Sequence, residues 1–257
     1  MRTIFEWDLK KNYPIDQTIN NRFTYNYFIG IIMLYMSLTI LSGLTVYKIV
    51  SLGPFLLPAG IFTTPLTYCL SNVVTEVYGY PVARNLVWWF IICSAIFTLF
   101  AFALIHLPSP PDYHNQSAYE LILGSMPRVF LAGILGTLIG MTTNNYLVSK
   151  FKILMGGRHY WIRSIISTCG GEIVYNVIAY PIMMLGIISD SQLFHIFISV
   201  TIFKIMITAT FLLPECLLAH YLKIKEKINI FDYNVNYNIF RFKIEENTQP
   251  PRLSIIK

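Results

Sequence analysis

The sequence predicts an all-α integral membrane protein: a bundle of six transmembrane helices, both termini cytoplasmic, with a short extended C-terminal tail. Three observations carry this. The chain is 55% hydrophobic and only 12% charged, with a mean hydropathy of +0.56, whereas a soluble domain carries about 25% charged residues. Six apolar runs recur, each long enough to supply the roughly 20 helical residues that cross a hydrocarbon core. Lysines and arginines gather on alternate connections, the pattern of the positive-inside rule.

Residues 1–24 are a polar lead-in with Arg2, Lys10, Lys11 and Arg22, assigned to the cytoplasm. The first apolar run follows Asp8 and Asp16 and is too long for a signal-peptide core, so no cleavable signal is expected. Residues 25–222 form the transmembrane domain, with segments placed at Asn26–Tyr47, Pro54–Val77, Leu86–Leu107, Pro127–Val148, Ile162–Ile188 and Phe194–Leu222. The second and fifth contain polar groups and are weaker by hydropathy alone. The Pro108-Ser-Pro-Pro-Asp-Tyr-His-Asn connection is proline-rich and expected to be irregular. In the fourth segment, Ala132, Gly136 and Gly140 stand four residues apart, a small-residue stripe suited to close packing inside the bundle. Residues 223–257 form a cytoplasmic tail in which Ile228 to Ile244 alternates apolar and polar residues, predicting an extended segment on the bundle or at the interface.

The loop charges set the orientation. Between the first two segments stands only Lys48, and the third-to-fourth and fifth-to-sixth connections carry neither lysine nor arginine. The opposite side holds the lead-in, Arg84, the group Lys150, Lys152, Arg158 and Arg163, and the tail from Lys223 onward. The net charge of +6 therefore reads as topology and not as a nucleic-acid face. Cys69, Cys93, Cys169 and Cys216 all lie within apolar runs without zinc or C-x-x-C spacing, and no disulfide or metal site is expected. The five histidines are dispersed, and neither H-E-x-x-H nor G-x-S-x-G occurs, so an enzyme is not expected. No G-x-x-x-x-G-K-[ST] occurs and no cofactor is implied.

The most informative stretch is Asn72-Val-Val-Thr-Glu-Val-Tyr-Gly-Tyr-Pro-Val-Ala-Arg84. Locally it is a helix end, with Gly79 free to take positive φ and Pro81 stopping the helix. Glu76 breaks that pattern, because a carboxylate in a last turn faces the carbonyl end of the helix dipole. It either pairs with Arg84 across the turn or serves a purpose elsewhere. Asn72-x-x-Thr75-Glu76-x-Tyr78-Gly79, with Ala83-Arg84 after it, resembles the signature of the queuosine-precursor transporters, also described as vitamin-uptake-like transporters. The resemblance runs from about Phe28 to Phe242, and it departs at Asn72, where the family often has Asp. It implies six-helix proteins of the bacterial inner membrane that carry a 7-deazaguanine-type base used in transfer-RNA modification.

Depth along the helices identifies two further residues. Glu172 lies ten residues into the fifth segment and Lys204 ten into the sixth. At 1.5 Å per residue each is about 15 Å deep, near the middle of a core about 30 Å thick. A lone charge there costs at least about 2.5–3.5 kcal/mol, so opposite charges at one depth on antiparallel neighbours are expected to face each other inside the bundle. Two readings stand: a structural ion pair, or the wall of a polar site for substrate or coupling ion. The resemblance supports Lys204 through Phe203-Lys204 and the later Pro214. It supports the fifth helix less cleanly, since the family has an Asp near Tyr175 or Asn176, where this chain has Glu172 one turn earlier.

The implied cargo makes chemical sense of these groups. A carboxylate accepts two N–H bonds from one edge of a purine-like base, an amide donates or accepts, and aromatic rings stack on the base face. The candidate substrate-binding residues are Glu172, Lys204, Asn176, Asn72 and Tyr175, with Tyr68 and Tyr180 nearby. Glu76, Tyr78, Gly79 and Arg84 form the motif, and Glu76 and Glu215 with Arg84 and Arg163 are either an inner gate network or ordinary interfacial charges. The leading expectation is a single-chain carrier working by alternating access. The alternative is the substrate-binding subunit of a multi-component vitamin importer, which would meet a coupling ATPase at the Ala132/Gly136/Gly140 stripe. The partners expected are the base and the bilayer, not nucleic acid, and a homo-oligomer is left open.

Overall fold

A computed structural model describes residues 27–241, except 54, 185, 187 and 188. The lead-in of residues 1–24 and the end of the tail therefore lie outside the described residues. Helix α1 (Phe28–Thr45) is followed by an antiparallel hairpin, β1 (Ile49–Leu52) and β2 (Phe55–Pro58), in which Ile49 faces Pro58 and Leu52 faces Phe55. A 3₁₀ turn (Ala59–Phe62) leads into α2 (Thr64–Tyr78), and Gly79 alone separates α2 from α3 (Tyr80–Ile105). Short α4 (Gln116–Leu123) precedes α5 (Met126–Gly136), which passes through a π turn (Thr137–Met141) into α6 (Thr142–Leu154). Two long helices, α7 (Tyr160–Met184) and α8 (Asp190–Lys225), complete the bundle.

Among the described residues, five stretches are long and apolar enough to cross a membrane: α1, α3, the run Gln116–Leu154, α7, and Leu193–Lys225 of α8. This is a multi-pass membrane protein. The second expected segment differs. Its first part forms β2 and the 3₁₀ turn, and α2 keeps only 15 residues, a length of about 22 Å. The cause is local: a proline cannot donate to a helical ladder, and β-branched Ile49 and Val50 suit an extended pair, whereas hydropathy registers only that the run is apolar. The third helix begins six residues before the expected Leu86, because Pro81 sits in the first turn, where its missing N–H costs nothing.

Large apolar side chains face outward around the bundle, among them Leu99, Phe100, Leu131, Val177, Ile202 and Met206, as helices in lipid require. Buried apolar residues form two clusters. One, with Val73, Val77, Leu86 and Leu222, lies toward the end carrying the tail. The other, with Leu57, Ile61, Ala132 and Val200, lies toward the hairpin. The small-residue stripe works inside the bundle, as expected: a Cβ on Gly140 would stand 2.8 Å from the Gly171 carbonyl oxygen, and one on Gly136 would stand 2.9 Å from the Tyr175 ring.

The described part of the tail lies across the bundle end. Ile230 donates its amide to Val77 O at 3.2 Å. Asp232 Oδ2 accepts from the Tyr80 amide at 3.0 Å and from Ser149 Oγ at 2.6 Å. Arg84 Nη1 donates to Asn236 O and Asn238 O, and Trp88 Nε1 to Ile239 O. Gly79 sits beneath this strap with φ +85°, and a Cβ there would meet Asp232 Oδ1 at 2.8 Å. Positive φ and lack of room both demand glycine.

Candidate functional site

Helix α7 organises the interior. Tyr160, Ser164, Thr168, Glu172 and Asn176 follow one another every four residues, and all five are buried. Residues four apart form one ridge of a helix, so this ridge presents a continuous polar line to α2 and α8.

At its hairpin-side end, Glu172 Oε2 meets Lys204 Nζ at 2.7 Å. Lys204 also donates to Asn176 Oδ1 at 2.9 Å, and Asn176 Nδ2 donates to Thr201 Oγ1 at 3.0 Å. The ammonium lies 4.8 Å from the Tyr175 ring centre and 5.7 Å from that of Tyr180, within the range of cation–π attraction. Glu172 Oε1 has no hydrogen-bond partner among the described residues. Beside this group lies a cavity of about 100 Å³ whose wall includes Tyr35, Tyr68, Tyr175, Tyr180 and Lys204. Tyr68 enters it from α2, its hydroxyl donating to Gly171 O at 3.3 Å. The cavity extends toward the hairpin as far as Val46, Pro58 and Met183. A planar ligand there would meet aromatic faces, an ammonium donor and, through that ammonium, a carboxylate with a free oxygen.

Four of the five expected binding residues, Glu172, Lys204, Asn176 and Tyr175, thus come together. Asn72 does not join them. Its Nδ2 donates to Ser164 Oγ at 3.1 Å and Thr168 Oγ1 at 2.9 Å, and its Oδ1 accepts from Asn144 Nδ2 at 2.7 Å. Asn145 Oδ1 continues the network, accepting from Ser71 Oγ at 2.8 Å. On the α8 side, Ser164 Oγ and Tyr160 Oη both donate to Glu215 Oε1 at 2.6 Å.

Toward the tail, Glu76 is fully buried and does not pair with Arg84. Arg163 grips it with two bonds, Nη1 to Oε2 at 2.7 Å and Nη2 to Oε1 at 3.1 Å. Lys223 Nζ reaches Oε1 at 2.6 Å, and Lys152 Nζ stands 3.9 Å away while donating to the Glu76 carbonyl. Three cations from α6, α7 and α8 converge on one carboxylate of α2. Lys152, Arg163 and Lys223 are therefore interior residues, not loop charges, a correction forced by their 7% exposure or less. Arg84 is engaged by tail carbonyls instead, and Tyr78 Oη donates to Glu226 Oε2. Of the residues expected at an inner gate, Glu76 and Arg163 bond each other, while Arg84 and Tyr78 lie one layer out against the tail.

The sequence reading missed Ser164, Thr168, Asn144, Lys152 and Lys223. The four-residue recurrence of polar residues along α7 was the available signal for the first two. For the others no local pattern exists, because their partners sit on distant helices.

The sequence profile of the family described as "Putative vitamin uptake transporter" matches residues 58–219. That stretch holds Glu76, Glu172, Lys204 and Glu215 but not the tail. A "Probable queuosine precursor transporter" of Bacillus subtilis (strain 168) is 29% identical over 174 residues, covering 66% of this chain and 75% of that protein. No solved structure matches the chain.

Proposed function

The chain belongs to the vitamin uptake transporter family, and from that premise we propose that it imports a queuosine precursor, a 7-deazaguanine-type base, across the bacterial inner membrane. The observation that supports this cargo is the Glu172–Lys204 pair at 2.7 Å beside an aromatic cavity. Lys204 donates to the carbonyl of the base, Glu172 and Asn176 hold Lys204 in place, and Tyr68, Tyr175 and Tyr180 supply stacking faces. A buried charge pair is costly unless it performs a task, and base recognition is such a task.

The chain crosses the bilayer six times in this reading, with α2, the 3₁₀ turn and the hairpin together making the second crossing. Lys150, Arg158, Lys225 and Lys227 lie at the tail end, where Lys152, Arg163 and Lys223 also sit, so that end faces the cytoplasm. The cavity reaches toward the opposite, external face, and the Glu76–Arg163–Lys223 cluster closes the inner side. Alternating access then requires that cluster to part while the hairpin side seals. The packing of Gly136 and Gly140 against Tyr175 and Gly171 of α7 supports the single-chain reading over a substrate-binding subunit of a multi-component importer.

The test is queuosine in transfer RNA. A bacterial host unable to make the precursor, and lacking its own importer, expresses this chain and receives limiting external precursor. Wild type is expected to restore the modification. Failure with the nitrile, aminomethyl and free queuosine bases alike would remove the proposed cargo.

A further inference from the structure

Among the described residues, three carboxylates are buried within the helices, and each is partnered differently. Glu76 faces three cations and Glu172 faces one. Glu215, 3% exposed, takes part in no ion pair among the described residues. Its Oε1 accepts from Tyr160 Oη and Ser164 Oγ, both at 2.6 Å, and its Oε2 has no hydrogen-bond donor among the described residues. We propose that Glu215 is the proton-binding site that couples substrate movement to a proton gradient. This rests on the transport reading above and supplies its energy source.

The groups around Glu215 are few. From α7 come Tyr160 and Ser164, from α2 the Cys69 thiol and the Asn72 amide, and Cys216 is its neighbour on α8. The Arg163 guanidinium lies 5.4 Å from the centre of the Tyr160 ring, and both its terminal nitrogens bond Glu76. An isolated carboxylate in such a place is neutralised by taking a proton, because carrying the charge without a counter-charge costs several kcal/mol. A metal cation would need a shell of oxygen lone pairs. The neighbours here turn hydrogens toward Glu215, so a proton is the ligand that fits.

Its position makes the charge state consequential. Ser164 donates to Glu215 and at the same time accepts from Asn72, which is tied to Thr168 and Asn144. Four helices, α2, α6, α7 and α8, thus meet in one hydrogen-bonded network. Glu215 lies eleven residues from Lys204 on α8, about 16 Å toward the cytoplasm. In the cycle, Oε2 takes a proton from external water to give the neutral acid, now a donor toward α2. Loss of that proton to cytoplasmic water restores the carboxylate. One O–H bond forms and later breaks, and nothing is oxidised or reduced.

The experiment uses the full chain in liposomes and the labelled nitrile form of the base. Wild type is expected to accumulate the base under an acid-outside gradient, to lose accumulation when a protonophore is added, and to gain nothing from a sodium gradient. Glu215→Gln is expected to exchange labelled for unlabelled base yet to lose gradient-driven accumulation, and Glu215→Asp to keep it. Sodium-driven uptake, gradient-independent uptake by wild type, full accumulation by Glu215→Gln, or loss of exchange together with accumulation in that variant would each overturn the proposal. If wild type moves no base, the cargo reading fails, and infrared titration in lipid still decides proton binding. A protonated-carboxyl carbonyl band that titrates in wild type and vanishes in Glu215→Gln supports it, and a spectrum unchanged by the substitution refutes it.

Discussion

Arg163 holds Glu76 by both carboxylate oxygens, Nη1 to Oε2 at 2.7 Å and Nη2 to Oε1 at 3.1 Å, with neither side chain exposed. Lys223 and Lys152 share the same carboxylate. Glu76 is therefore the common counter-charge of three helices. Glu76→Gln leaves three cations without it, and breaking a buried pair in this way costs about 3–5 kcal/mol. A sharp fall in membrane abundance and in thermal midpoint in detergent is expected. Arg163→Lys keeps the charge but forfeits the two-bond grip, and is expected to fall between wild type and Glu76→Gln. A Glu76→Gln protein as stable as wild type would contradict this account.

The Glu172–Lys204 pair separates binding from stability. Either single alanine variant, Glu172→Ala or Lys204→Ala, leaves the other charge buried alone. The double variant that combines Glu172→Leu with Lys204→Met removes both charges. Each alanine variant is expected to lose about 3–5 kcal/mol, while the double variant recovers most of that loss. Base uptake is expected to stay absent in all three. Recovery of uptake along with stability would mean that the pair only supports the fold.

Glycine substitutions test the contact between the π turn and α7. A Cβ on Gly140 would lie 2.8 Å from Gly171 O and from Tyr175 Cβ, whereas one on Gly30 meets nothing within 4 Å. Gly140→Ala must push two helices apart beside the cavity, at about 1–3 kcal/mol or more. Gly30→Ala is expected to leave the thermal midpoint unchanged or slightly raised.

The tail strap is expected to respond to pH. Burial pushes the Asp232 carboxyl above the usual range, opposed by the Ser149 hydroxyl, the Tyr80 amide and Lys152. A carboxyl whose folded value exceeds its unfolded one contributes stability that is full below the unfolded value and is lost as pH rises through the folded value. Docking of the tail should thus weaken from acid toward neutral pH. Trp88, bonded to Ile239 O at 2.8 Å, reports it: its emission, isolated by comparison with Trp88→Phe, should shift across that window. Asp232→Asn keeps the shape and removes the titrating proton, so the shift should vanish.

Much of this was legible one segment at a time. Gly79 is required by a positive φ and marked the α2–α3 joint, and the ten-residue depth of Glu172 and Lys204 placed them opposite one another. Glu76 stood out because it breaks a local helix-end rule, but its partner was misread. The adjacent Arg84 faces the tail, and the true partners lie 76 to 147 residues away in sequence. The second segment misled for a different reason: an apolar hairpin and an apolar helix have the same hydropathy, and only the prolines and the β-branched Ile49 and Val50 distinguish them.

What the sequence determined by itself was the solvent and the long apolar helices that can cross it, the second segment excepted. An apolar run of sufficient length has nowhere to go but lipid, and its backbone has few alternatives to a helix there. Membership and the motif followed from residue identity. What only the tertiary structure decided was which buried charge answers which. Inside a bundle, helix rotation and crossing choose partners from different segments, and no local rule relates Glu76 to Lys223 or keeps Glu215 out of the ion pairs among the described residues. Those pairings depend on how the helices pack, and they set the chemistry of the interior.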